Sequence, residues 1–172
     1  MGLFRSAERL MGMTDASWAR HANPWSGYSR FIVLPLLVMA IWARIWLGWY
    51  ALVPVVLCLA WAWINPRAFP PPATTAAWAT QGVLGERAFL NRKQVPIPKH
   101  HETWAYWLTA LSAAGLPPLV WGLWVFDPSW TLLGLVLTMG GKIWFVDRMA
   151  WLWADMKAAD PTYEAWERGA FT

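Results

Sequence analysis

The sequence predicts an all-α membrane protein. It reads as four transmembrane helices, with a cytoplasmic N-terminal amphipathic helix and a long cytoplasmic loop between helices 2 and 3. Three observations predict this. The stretch from Phe31 to Ile64 carries one formal charge, Arg44, and is too long and too apolar for a soluble helix. Hydrophobic residues make up 58% of the 172-residue chain and charged residues 14%, against roughly 25% charged in a soluble domain. There are 17 Trp, a residue that favours the headgroup level of a bilayer, where its ring is part apolar and part wet.

Residues 1–28 form the cytoplasmic amphipathic segment. Leu3, Phe4, Ala7, Leu10 and Met11 fall at helical spacing opposite Arg5, Glu8 and Arg9, which suits a helix lying on a membrane or on the protein's own cytoplasmic face. Met1-Gly2-Leu3-Phe4-Arg5-Ser6 fits the permissive myristoylation pattern. The first apolar run opens only at Phe31 and runs directly into a second, so no cleavable leader is expected. Helix 1 is placed at 29–46, with Pro35 a candidate kink, and helix 2 at 47–64, with Arg44 and Gly48 among the residues marking the far interface. Asn65-Pro66-Arg67 should end helix 2, because the residue before proline disfavours the helical region.

Residues 65–102 form the long connection. It opens on the stiff run Phe69-Pro70-Pro71-Pro72, holds a short helix within Thr75–Leu90 interrupted at Gly82 and Gly85, and leads through Lys99-His100-His101-Glu102 into helix 3. Helix 3 covers 103–126, kinked or broken at Pro117-Pro118. Asp127-Pro128-Ser129 is a tight turn, and helix 4 covers 129–153 with a cytoplasmic extension. Its Gly134, Thr138 and Gly141 form a small-residue stripe that admits a close helix, offering a face for a homo-oligomer or a larger membrane complex. The tail, 154–172, is polar, with Asp160-Pro161 a stop.

Orientation follows from the Lys and Arg residues. Arg5, Arg9, Arg20 and Arg30 precede helix 1 or sit at its start. Arg67, Arg87, Arg92, Lys93 and Lys99 lie in the long connection, and Arg148, Lys157 and Arg168 at the C-terminal end. The two short turns share Arg44 alone. Twelve against one places both termini and the long connection in the cytoplasm. The same asymmetry accounts for the net charge of +4 and pI of about 9.6, through anionic lipid and without nucleic acid as a partner. Cys58 is the single cysteine and excludes an intrachain disulfide.

Lys142 is the sharpest anomaly, an ionisable residue inside an apolar run. Such a residue marks a functional site unless it snorkels, and Lys142 lies only ~6–9 Å inside the cytoplasmic boundary at ~1.5 Å per residue. Together with Arg30, Arg67, Arg87, Arg92 and Arg148 it could line a basic bowl for an anionic headgroup. His100, His101 and Glu102 are the candidates for proton transfer. A metal site is not expected: adjacent histidines should point different ways on a helix, and no HxxxH or HxxHH box exists. Haem and other cofactors are not expected either. The P-loop, Rossmann glycine, GxSxG, HExxH and CxxC motifs are absent. Four spans without duplicated hydropathy or buried carboxylates argue against a transporter.

His21-Ala-Asn-Pro-Trp-Ser26, Asn65-Pro-Arg-Ala-Phe-Pro-Pro-Pro72, Leu84-Gly-Glu-Arg87, Leu90-Asn-Arg-Lys93, Pro96-Ile-Pro-Lys-His-His101 and Gly141-Lys142 through Asp147-Arg-Met149 resemble an uncharacterised family of small bacterial integral membrane proteins. The resemblance covers nearly the whole chain. It implies four helices in a bacterial inner membrane and brings no activity. The expected function is therefore an accessory or assembly subunit, or a lipid-binding module. The alternative is an enzyme acting on an anionic amphiphile at the cytoplasmic interface.

Overall fold

The structure is a computed structural model in which residues 14–168 are described. The amphipathic run from Leu3 to Met11 and the Gly2 pattern lie outside the described residues. Every regular element among those described is helical.

Thr14 caps a short helix, α1 (Asp15–His21), by accepting the Ser17 N–H. Asn23 caps α2 (Pro24–Trp42) through the Trp25 N–H, with Pro24 at the first helical position, where its missing N–H costs nothing. The cap starts this helix five residues before the predicted Ser29. After α3 (Arg44–Leu47), Gly48 adopts φ +54 at the entry to a 3₁₀ turn, Gly48–Ala51, a conformation that favours glycine. The chain returns as α4 (Leu52–Ala68). The turn thus takes up more residues than the predicted 46/47 junction, and the return leg is shifted accordingly. Ser26 Oγ lies 2.8 Å from Asn65 Oδ1, so the two ends of Pro24–Ala68 meet and the segment is a hairpin.

Helix α4 does not stop at Asn65. Pro66 lies inside its last turns, and both Asn65 and Pro66 are buried. The expected stop fails because side-chain bonds from Asn65 hold the backbone in helix through Ala68.

The long connection carries α5 (Trp78–Leu90), uninterrupted at either glycine. Gly82 and Gly85 are contact points: a Cβ on Gly85 would overlap the Met149 carbonyl, and one on Gly82 would overlap Val146. Next come α6 (Lys99–Ala114) and α7 (Leu116–Val125), broken at Gly115, with Pro117 and Pro118 in the first turn of α7. Phe126 ends α7 in the left-handed region, φ 56. Asp127 caps α8 (Pro128–Met156) through the N–H groups of Ser129 and Trp130.

The small-residue stripe of α8 is used within the chain. Gly134 faces Leu119, Thr138 faces Gly115, and Gly141 faces Ser112, whose hydroxyl donates to the Thr138 carbonyl at 2.9 Å. The helix it admits is the α6–α7 leg, which occupies the face offered to an oligomer.

Nor is Asp160-Pro161 a stop. It opens α9 (Pro161–Glu167), with Asp160 accepting the Thr162 N–H. Tyr163 and Trp166 from this helix are buried, and Trp166 stacks on Trp153. The main core gathers there, from Leu84 and Phe89 of α5, Leu108 of α6, Met149 and Leu152 of α8, and Tyr163. The long helices show the reverse: Leu36, Met39, Val53, Val56, Leu57, Leu132 and Val136 are exposed. Three helical segments are long and apolar enough to cross a membrane: Pro24–Ala68, Lys99–Val125 and Pro128–Met156.

Candidate functional site

Where α1, α2, α4, α5 and α8 converge, polar groups gather in a chain otherwise dominated by apolar contacts. Arg30 Nη1 lies 3.1 Å from His21 Nε2, and His21 Nδ1 lies 2.8 Å from Ser26 Oγ. Ser26 donates to Asn65 Oδ1 at 2.8 Å, Asn65 Nδ2 donates to Ser29 Oγ at 2.8 Å, and Ser29 donates to the Trp25 carbonyl at 2.6 Å. Its two ends fix the polarity of the whole series. A guanidinium only donates and a carbonyl only accepts, so His21 accepts at Nε2 and carries its proton on Nδ1. Ser26 and Asn65 are fully buried. The repeated Asn-Pro pair therefore has two different uses: Asn23 caps a helix, and Asn65 is the central link of this relay.

Beside the relay lies a charged group. Lys142 Nζ is 3.9 Å from Glu86 Oε1 and sits over the Phe145 ring at 4.7 Å. Burial alone would push the Glu86 carboxyl up. Lys142, then His21 and Arg30, outweigh it and hold the carboxyl below its ordinary range. Burial, reinforced by Arg30, takes His21 down to about 4, so the imidazole is neutral at pH 7. The fixed charges are then two cations, Arg30 and Lys142, around one carboxylate. Next to them, Asp147 accepts from the Trp78 indole at 3.2 Å.

A family model described as Family of unknown function (DUF6653) matches residues 5–170. The chain belongs to DUF6653. No curated protein and no solved structure matches it.

The DUF6653 chain separates most of the basic residues grouped in the sequence. Arg30 and Lys142 come together around Glu86. Arg67 returns to its own helix, bonding the Trp63 carbonyl at 3.1 Å. Arg87 pairs with Asp15 and lies over Trp166. Arg92 pairs with Glu102 at 3.2 Å and with the Phe89 carbonyl. Arg148 pairs with Asp147 at 3.6 Å and lies over Trp151. The proton-transfer candidates are elsewhere again. His101 is buried and bonds Asp155 Oδ2 at 2.8 Å, thirteen residues along α8 from Lys142, a separation of ~20 Å at ~1.5 Å per residue. His100 and His101 do not diverge as expected: their ring centroids are 4.1 Å apart.

Sequence reasoning missed Glu86 as the centre of the charged group, and Ser26 and Ser29 altogether. One signal was available for Glu86. It is the single carboxylate of the short α5 helix, flanked by a glycine that presses that helix onto α8.

Proposed function

We propose that the DUF6653 chain crosses a bacterial inner membrane four times, with both ends and residues 65–102 in the cytoplasm, and binds the headgroup of an anionic amphiphile over Lys142. The exposed apolar faces of α2, α4, α7 and α8 support membrane burial. Because Pro24–Ala68 doubles back, it supplies two crossings; Lys99–Val125 and Pro128–Met156 supply one each. The Lys and Arg asymmetry supports the orientation.

The observation that carries headgroup binding is Lys142 itself. Its side chain is 49% exposed and reaches its one carboxylate partner only at 3.9 Å. At a depth of ~6–9 Å from the cytoplasmic boundary, such a cation rises toward lipid phosphates. Arg30 supplies a second positive charge behind it, and Glu86 neutralises only one of the two. The catalytic alternative is less well supported. A head held at Lys142 is ~20 Å from His101, and Glu102 is engaged with Arg92.

The test compares lipid retention. Wild-type protein purified in mild detergent and reconstituted with phosphatidylglycerol and phosphatidylcholine is expected to retain phosphatidylglycerol selectively, read by native mass spectrometry. Lys142→Met should lower that selectivity about fivefold, the ~1 kcal/mol that one cation near a membrane surface contributes, while Lys142→Arg preserves it. Equal retention by wild type and Lys142→Met would defeat the headgroup reading. The topology is tested separately by a reporter inserted after Gln94, whose export would refute the orientation.

A further inference from the structure

We propose that His100, His101 and Asp155 form a binding site for a first-row transition-metal dication, distinct from the Lys142 cluster. One ligand atom from each residue lies within 4.8 Å of the others. A tetrahedral Zn²⁺ or Co²⁺ holds nitrogen and oxygen ligands at about 2.0–2.2 Å, so its donors lie about 3.4 Å apart. A movement of about 1 Å or more by the exposed His100 and Asp155 side chains closes the set.

The parts that must be rigid are rigid, and those that must move are free to do so. His101 is 3% exposed and sits on the first turn of α6, which packs along α8. Its Nε2 is already directed at Asp155, 2.8 Å away on the last turns of α8. His100 is exposed, and the Asp155 side chain is 56% exposed. His100 lies in the first turn of its helix, where rotation of its ring brings a nitrogen onto the ion. Glu102, the neighbouring carboxylate, is held by Arg92 and leaves the donor set at three.

Two imidazoles and one carboxylate select the class of ion. Mg²⁺ and Ca²⁺ require oxygen ligands, whereas Zn²⁺, Co²⁺, Ni²⁺ and Fe²⁺ accept this mixture. Three protein ligands with two exposed members leave coordination positions facing water, unlike a closed structural site. The bound ion replaces the His101–Asp155 hydrogen bond and ties the start of α6 to the end of α8.

The experiment titrates tag-free, full-length protein in mild detergent with Co²⁺, followed by visible absorption, and then displaces it with Zn²⁺. One equivalent per chain is expected, with Zn²⁺ raising the thermal midpoint. His100→Ala and Asp155→Asn alter exposed side chains, and each should weaken binding at least about tenfold, as disturbance of metal shells commonly does, with far-UV circular dichroism unchanged. Both variants should also lose the Zn²⁺ thermal shift. Absence of saturable binding below about 100 µM, equivalent to roughly −5.5 kcal/mol, overturns the proposal. So does binding that survives both substitutions, which places the ion elsewhere. Neither result depends on lipid retention at Lys142.

Discussion

Gly85→Ala is expected to destabilise the protein by about 3 kcal/mol or more, the upper end of what overpacking costs. The new methyl would overlap the carbonyl of Met149, a backbone atom that cannot rotate aside. Relief requires α5 to lift from α8, which strips cover from Leu84 and Phe89 in the main core. Gly140→Ala is the matched control. No atom lies within 4 Å of a Cβ built there, and alanine gains up to about 1 kcal/mol of helix propensity over glycine. Thermal unfolding in detergent, with accumulation in the membrane fraction, reads both. Equal behaviour of the two variants would show that α5 and α8 do not cross as described.

Acid is expected to destabilise the protein, beginning well above the carboxylate range. His21 has a folded-state pKa of about 4 against an ordinary 6.5. Between those values the unfolded chain takes up a proton that the folded chain refuses. Stability is therefore fully present above about pH 6.5 and falls as pH drops toward 4. At ~1.36 kcal/mol per unit, the loss approaches about 3 kcal/mol. Glu86 acts in the same direction at lower pH: its folded pKa is depressed, so its contribution is present above the ordinary carboxylate value and lost as pH falls through the folded one. The structural reason is specific. A proton on Nε2 of His21 would face the Arg30 guanidinium, which has no lone pair to accept it. A His21→Gln variant should lose most of the slope between pH 6.5 and 4, whatever its stability at pH 7. A slope unchanged by that substitution would remove His21 as the cause.

What could be read from the sequence was what local chemistry decides. The apolar hairpin and the Asp127 turn follow from composition and capping, and Lys142 stood out because a charge in an apolar run has few explanations. What could not be read depends on groups that meet only after folding. Gly82 and Gly85 look like helix breakers in sequence, since glycine weakens an isolated helix. They are contact points because α8 lies against them, which no local rule records. Asn65 looks like a turn residue, yet it bonds two serines thirty-six and thirty-nine positions earlier. The polar appearance of residues 154–172 hid Tyr163 and Trp166, two aromatics spaced three apart on one face of a short helix. Asp155 joins His101 across fifty-four residues, a separation at which spacing rules for ligands have no purchase. The basic residues were grouped because they were expected on one side of a membrane. Arg87, Arg92 and Arg148 instead pair with carboxylates and Arg67 lies over an aromatic ring, while Arg30 and Lys142 meet around Glu86.

The Ser26–Asn65–Ser29 links are made wholly within the first 68 residues, so they bear on the order in which the protein comes into being. A nascent chain that has only just emitted its polyproline run already contains every partner those links require. The first hairpin can lock its own two ends before α5 exists. Arg30 is different: Glu86, the carboxylate whose field favours its charge, is translated only with α5, and Lys142 only with α8. Biogenesis thus has two stages written into one polar junction, an early one complete within about the first two-fifths of the chain and a late one that waits for α5 and α8.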